Sequence, residues 1–112
     1  IGDYAQERGI SMAMHMAGTP VSCMANVHCA AATENFIALE NHSVDLEWWG
    51  DLVTGVEKPI IQKGYIPVPQ GPGLGIELNE EVVKAHLDAD DPGFFLPTPE
   101  WDRPASHDRL WS

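Results

Sequence analysis

Basic residues are scarce in this chain: 6 lysines and arginines stand against 17 aspartates and glutamates, a formal net charge of −11 over 112 residues. That balance argues against nucleic acid as a partner, because gripping a phosphate backbone needs a basic footprint. The same balance argues against an anionic membrane surface. An anionic substrate could not be held by the chain's own field, so a metal or basic groups elsewhere would have to help. Cysteine is nearly absent as well. Cys23 and Cys29 lie on different parts of a segment that reads as helix, which argues against a disulfide and fits a reducing, cytoplasmic setting. No apolar run approaches the ~18 residues of a membrane span, and no signal-peptide pattern is present. Ile1 stands where an initiator methionine would, and the chain reads as a fragment or as one product of a processed protein.

What is present is ordinary for a folded protein. Hydrophobic residues make up 44% and charged ones 21%, a globular rather than a disordered composition, and the length suits one small domain. "DYAQERG" carries Gly9 where a helix would end, just past Arg8. "ISMAMH" then alternates on a period of two. Ile10, Met12 and Met14 share one side, while Ser11, Ala13 and His15 share the other. An inner barrel wall would show this split, and a strand buried on both sides of an open sheet would show it nearly as well.

Thr19 can cap a helix whose first residue is Pro20, and "PVSCMANVHCAAAT" is that helix, with Met24, Val27, His28 and Ala31 on one face. "NFIALE" reads as a second buried strand, with Phe36, Ala38 and Glu40 on one face and Ile37 and Leu39 on the other. Strand, helix and strand joined by tight connections make a βαβ unit with a parallel pair, so the fold class is α/β.

Beyond Glu40 the texture changes to a polar, aromatic loop with a short helix around Trp48 to Leu52. "KPIIQKGYIPVPQ" predicts two strands turning at Lys63 and Gly64, with Pro67 and Pro69 pushing the second to an edge. "GPGLG" lacks the lysine of a phosphate loop and reads as a turn before the strand-like "IEL". "NEEVVKAHL" is a short helix capped by Asn79. From Asp88 the tail is acidic and rich in proline, and its Phe94, Phe95, Trp101 and Trp111 suggest that it docks on a surface. The chain thus divides into residues 1–55, 56–87 and 88–112, with no internal repeat.

In parallel α/β folds reactive groups gather at the carboxyl ends of strands. His15 ends the first strand and Glu40 the second, each on the small-residue side of its own strand, so both would point to one interior. Two titratable groups at one mouth can do acid/base work. A hydrogen-bonded structural histidine, and a glutamate bound to a backbone amide or an arginine, explain the same residues without catalysis. His28 reads as a packed or capping histidine, and His42, His86 and His107 have no zinc-site spacing. Trp48 and Trp49 could line a sugar pocket or cover the end of a barrel.

The run "ISMAMHMAGTPVSCMANVHCAAATENFIALE" resembles the seventh and eighth barrel strands, with the helix between them, of the enolase superfamily. It is most similar to the mandelate racemase-like branch that includes acid-sugar dehydratases such as galactonate dehydratase. "KPIIQKGYIPVPQGPGLGIELNEEVVKAHL" resembles that family's return segment, which leaves the barrel and packs under the capping domain. The likeness runs from Ile1 to about Leu87. It implies the carboxy-terminal part of a TIM-type (β/α) barrel, with residues 56–87 lying near the capping domain.

By that resemblance His15 is the general base and Glu40 hydrogen-bonds the developing enediolate; Thr19, four residues after His15, is a candidate substrate contact, with its helix-capping role the stronger reading. It also implies Mg²⁺, with ligands after the third, fourth and fifth strands, outside this chain. The aspartate that orients the base is expected to precede Ile1; Asp3 lies on the helix and does not replace it. The implied activity is Mg²⁺-dependent dehydration of an acid sugar, starting with removal of the proton next to its carboxylate. A racemase or epimerase of the same superfamily, and a non-catalytic assembly segment, are the alternatives. The partners expected are the remainder of the barrel and its cap, a small anionic sugar acid and further copies in a homo-oligomer. The chain alone is expected to be inactive.

Overall fold

The computed structural model describes residues 1–42, 45–91, 93–97 and 99. Helix α1 (Gly2–Glu7) leads into strand β1 (Met12–Met14), helix α2 (Pro20–Ala31) and strand β2 (Phe36–Leu39). A 3-10 turn (Trp49–Leu52), strand β3 (Val53–Thr54), strand β4 (Glu77–Leu78) and helix α3 (Glu80–Ala85) follow. The result is a mixed α/β fold with two small sheets. β1 and β2 pair in parallel, and β3 and β4 pair antiparallel. Among the described residues no helix is long and apolar enough to cross a membrane. The expectations for Trp101, His107 and Trp111 lie outside the described residues.

Local chemistry accounts for the helix ends. Gly9 adopts φ 67 just past α1, a conformation that costs a side-chain-bearing residue about 1–2 kcal/mol. Thr19 caps α2: its Oγ1 accepts from the Ser22 amide at 3.4 Å, and Pro20 opens the first turn, where it has no hydrogen bond to lose. Asn79 caps α3 in the same manner, accepting from Val82 N, and Glu80 pairs with Lys84 one turn on.

The pairing of β1 with β2 contains an irregularity that decides which side chains meet. Met12 is level with Phe36, yet Ala13 is level with Ala38 and Met14 with Leu39, so the register shifts between Met12 and Ala13. A regular ladder would have set Ala13 beside Ile37, and His15 beside Leu39. The shift instead aligns the two small-residue faces, because a one-residue offset exchanges the sides to which side chains point.

The core is small and lies on the other side of this sheet. Met16, Cys23, Met24, Val27, Trp49, Val53 and Ile60 are buried together, with Leu39, Ile66 and Ile76 packed against them. Trp49 donates its indole N–H to the carbonyl oxygen of Gly18 at 2.9 Å, which ties the turn after β2 to the entrance of α2. The polar end of a buried tryptophan is thereby satisfied. Trp48 stacks on His86 beyond α3, with ring centroids 4.1 Å apart. Trp49 is thus a residue of the core, and Trp48 a ring contact at the end of α3.

Two expectations are corrected. β2 is not buried within this chain: Phe36, Ile37 and Ala38 are exposed, and Ile37 reaches 66%. Its apolar residues on both faces imitate a fully covered strand, but the described residues supply β1 as its one strand neighbour and α2 on one side. The pair of strands expected around Lys63 and Gly64 reduces to a single bridge between Gln62 and Tyr65. The tight turn itself forms, with φ 52 at Lys63 and φ 84 at Gly64. Prolines at 59, 67 and 69 remove the backbone donors that a longer ladder would need. The antiparallel ribbon forms instead from Val53–Thr54 and Glu77–Leu78, and the intervening residues fold back as a loop.

Candidate active site

The carboxyl ends of β1 and β2 carry the site. The Glu40 amide donates to the Met14 carbonyl oxygen at 2.9 Å, extending the parallel ladder one step past the strands. His42 N continues it to Met16 O at 3.3 Å. These bonds set His15 and Glu40 side by side, and place His42 two residues on, back on the Glu40 side of the extended chain.

The side chains meet. Nδ1 of His15 hydrogen-bonds Oε2 of Glu40, and Nε2 of His42 lies 2.6 Å from Oε1 of the same carboxyl group. The two imidazole rings have centroids 6.4 Å apart. One carboxyl group thus holds two imidazoles, one on each oxygen. The His15 hydrogen bond, then that of His42, pull the Glu40 carboxyl below its usual value, because a hydrogen bond to the charged form favours it. An ionised carboxylate only accepts, so Nδ1 of His15 and Nε2 of His42 are the donors. His15 in its neutral form then carries its lone pair on Nε2, the nitrogen turned away from Glu40. The cluster is open to solvent, with side-chain exposures of 77% for His15, 42% for Glu40 and 63% for His42.

His42 belongs to this cluster although its spacing to other histidines marks no site. The signal was available: in an extended segment, residues 40 and 42 point to one side, but a search for zinc spacing does not look for a histidine that shares a carboxylate. Thr19 is exposed at the head of α2, where its hydroxyl accepts from Ser22 N. That bond turns it toward its own helix, and the structure does not bring it into the cluster of His15, Glu40 and His42. His28 lies elsewhere: its Nε2 is 3.2 Å from the Leu74 carbonyl oxygen and fastens α2 to the GPGLG loop. Cys23 is buried, which pushes its thiol pKa up, and both cysteines are free.

The sequence and the fold match known proteins. Residues 1–82 fit the family model described as "Enolase C-terminal domain-like". The chain belongs to that family. A D-xylonate dehydratase of Haloferax volcanii is 44% identical over 87 residues, covering 78% of this chain and 21% of that protein. A mandelate racemase/muconate lactonizing enzyme-like protein from Rubrobacter xylanophilus superposes with a TM-score of 0.72 at 38% identity, over 76% of this chain and 22% of that one. An enolase of the mandelate racemase subgroup from Agrobacterium tumefaciens superposes with a TM-score of 0.59 at 28% identity, over 75% of this chain and 22% of that one. The chain spans about a fifth of the length of the relatives it matches.

Magnesium is the metal the resemblance implies. Among the described residues no group of three or more His, Cys, Asp or Glu side chains could hold a metal ion. Glu40, the carboxylate at this site, already has both oxygens engaged by ring N–H groups. These residues do not fit a magnesium site, and the chemistry open to them is proton transfer.

Proposed function

We propose that this chain contributes the proton-transfer part of a sugar-acid dehydratase, as the carboxy-terminal part of a TIM-type (β/α) barrel whose remaining strands and cap complete the site. The observation that carries the reading is the His15–Glu40 contact at the ends of two adjacent parallel strands. A strand-end imidazole whose Nδ1–H is held by a carboxylate presents Nε2 as a base.

In the proposed reaction Nε2 of His15 takes the proton from the carbon next to the substrate carboxylate. The C–H electron pair passes onto the carboxylate oxygens as an enediolate, and His15 becomes an imidazolium paired with Glu40. That imidazolium returns its proton to the β-hydroxyl, whose C–O bond breaks with its electron pair on oxygen. Water leaves as the enediolate pair forms the carbon–carbon double bond. For Glu40 to donate to the enediolate, as the resemblance implies, it would have to release one histidine and take up a proton, with the aspartate expected in the rest of the barrel holding Nδ1 of His15 instead. Thr19 is assigned a substrate contact only in the completed barrel. Any Mg²⁺ would be held by residues other than those described.

The exposed apolar strands support a further neighbour: Ile10 and Ile37 present open surface that strands of the same barrel would cover. The D-xylonate dehydratase relative favours elimination over racemisation and suggests D-xylonate as the first probe. The test is His15→Asn in the complete enzyme. Loss of α-proton exchange in deuterated water, with the fold intact, supports the reading; exchange at the wild-type rate overturns it.

A further inference from the structure

The described histidines fall into two kinds. His28 and His86 are fastened to the backbone: Nε2 of His28 lies 3.2 Å from the Leu74 carbonyl oxygen, and Nδ1 of His86 lies 2.8 Å from that of Val82. His15 and His42 sit at and just past the strand ends, and each uses one ring nitrogen on Glu40. The reaction above employs the other nitrogen of His15. It leaves the other nitrogen of His42 without a task.

His42 is held from two directions. Its amide donates to the Met16 carbonyl oxygen at 3.3 Å, and its Nε2 donates to Oε1 of Glu40 at 2.6 Å. The second contact does not depend on the other oxygen of the carboxyl group. When Oε2 turns to the enediolate, Oε1 still keeps the ring of His42 in place. Nδ1 of that ring makes no hydrogen bond among the described residues, and the side chain is 63% exposed. Its centroid lies 6.4 Å from that of His15. A short polyhydroxy chain whose α-carbon is held against His15 spans that separation.

A ring nitrogen with a lone pair accepts from a hydroxyl group, and one with a proton donates to it; the hydroxyl can do either. The pairing therefore holds in both states of the ring. An acid with no hydroxyl at that place leaves Nδ1 unpaired in the completed site. That loss is how a site built to hydrogen-bond one group rejects the analogue without it.

We propose that His42 is a substrate-binding residue that sets specificity: its Nδ1 hydrogen-bonds a hydroxyl group beyond the β-carbon, so the site selects polyhydroxy acids over hydroxy acids that end at the β-carbon. This rests on the reading of His15 as the base, and it assigns a contact to the part of the substrate that undergoes no bond change. No proton passes through His42.

The experiment compares wild type, His42→Leu and His42→Ala in the complete enzyme, with melting curves to confirm the fold. It measures kcat/KM for α-proton exchange on a panel of aldonic acids that includes D-xylonate, and on D-glycerate. Glycerate keeps the carboxylate, the α-proton and the β-hydroxyl, and has no hydroxyl beyond them. Both variants remove the ring nitrogen, and alanine does so without adding bulk. Wild type should prefer the aldonate, and each variant should lower that preference about tenfold, the worth of one hydrogen bond. The ratio separates the two roles open to the ring, because loosening Glu40 would slow both acids alike.

A wild-type preference ratio in both variants would overturn the role of His42, however much the absolute rates fall. Failure of the underlying reading looks different. There, His15→Asn exchanges at the wild-type rate, or wild type exchanges no acid of the panel, and either result overturns the two assignments together.

Discussion

The backbone of Glu40 donates to the carbonyl oxygen of Met14 at 2.9 Å, one step beyond the last residue of either strand. That bond, together with the register shift between Met12 and Ala13, brings the Glu40 carboxyl to His15. The proposed chemistry depends on this alignment of two short parallel strands.

The first expectation concerns acid. Glu40 has its carboxyl pKa lowered by its two histidine hydrogen bonds, so its folded value lies below its unfolded one. Such a group contributes stability above the unfolded carboxylate range and loses it as pH falls through the folded value. Glu40→Gln should therefore be less stable than wild type near neutrality, and the gap should close as pH falls below the ordinary carboxylate range. Because the cluster is exposed, added salt should narrow the gap as well. Denaturant melts at several pH values and two salt concentrations check both trends.

The indole of Trp49 is the polar tie inside an apolar core. Trp49→Phe keeps most of the ring but leaves the Gly18 carbonyl without its donor, and should cost about 1 kcal/mol. Trp49→Ala empties the site and should cost roughly 3–5 kcal/mol. Equilibrium unfolding followed by circular dichroism measures the difference.

Two glycines separate backbone strain from crowding. Gly64 has φ 84 with open space around it, whereas at Gly75, with φ 71, an added Cβ would overlap the Pro69 ring. Gly64→Ala should cost about 1 kcal/mol, from the left-handed backbone alone. Gly75→Ala should cost about 2 kcal/mol or more, since overpacking adds to the same strain. Thermal melts of the two variants side by side read this ordering.

Thr19 offers a choice between two roles. Thr19→Ala removes the α2 cap and should lower stability by about 1 kcal/mol. If capping is its whole contribution, Thr19→Ser, which keeps the hydroxyl, restores stability and leaves KM at the wild-type value. A raised KM in Thr19→Ser would place the threonine methyl against substrate.

How far the sequence could be read depended on the range of the interaction. The caps at Thr19 and Asn79 are local, each decided by a side chain and an amide three residues on, and both were legible. So was the βαβ order, because residues 10–40 change period from two to a helical spacing and back. The β3–β4 ribbon was not, since Val53 finds Leu78 across 25 positions and each strand is two residues long. The exposure of β2 was not legible, because residues apolar on both faces describe what a strand can pack against, while coverage depends on which neighbours the chain supplies.

At the site, alternation along each strand picked out His15 and Glu40 separately. Their meeting required a register shift that no pattern in either strand announces. His42 lies past the strand end, where the extended backbone still turns it to the Glu40 side but no apolar alternation marks it.

The most direct measurement is α-proton exchange by the complete enzyme in deuterated water, comparing wild type with His15→Asn and with the variant's melting curve unchanged. Loss of a positioned general base should slow exchange by roughly 10²–10⁴-fold. Exchange at the wild-type rate would contradict the assignment of His15 as the base and leave its contact with Glu40 a structural one.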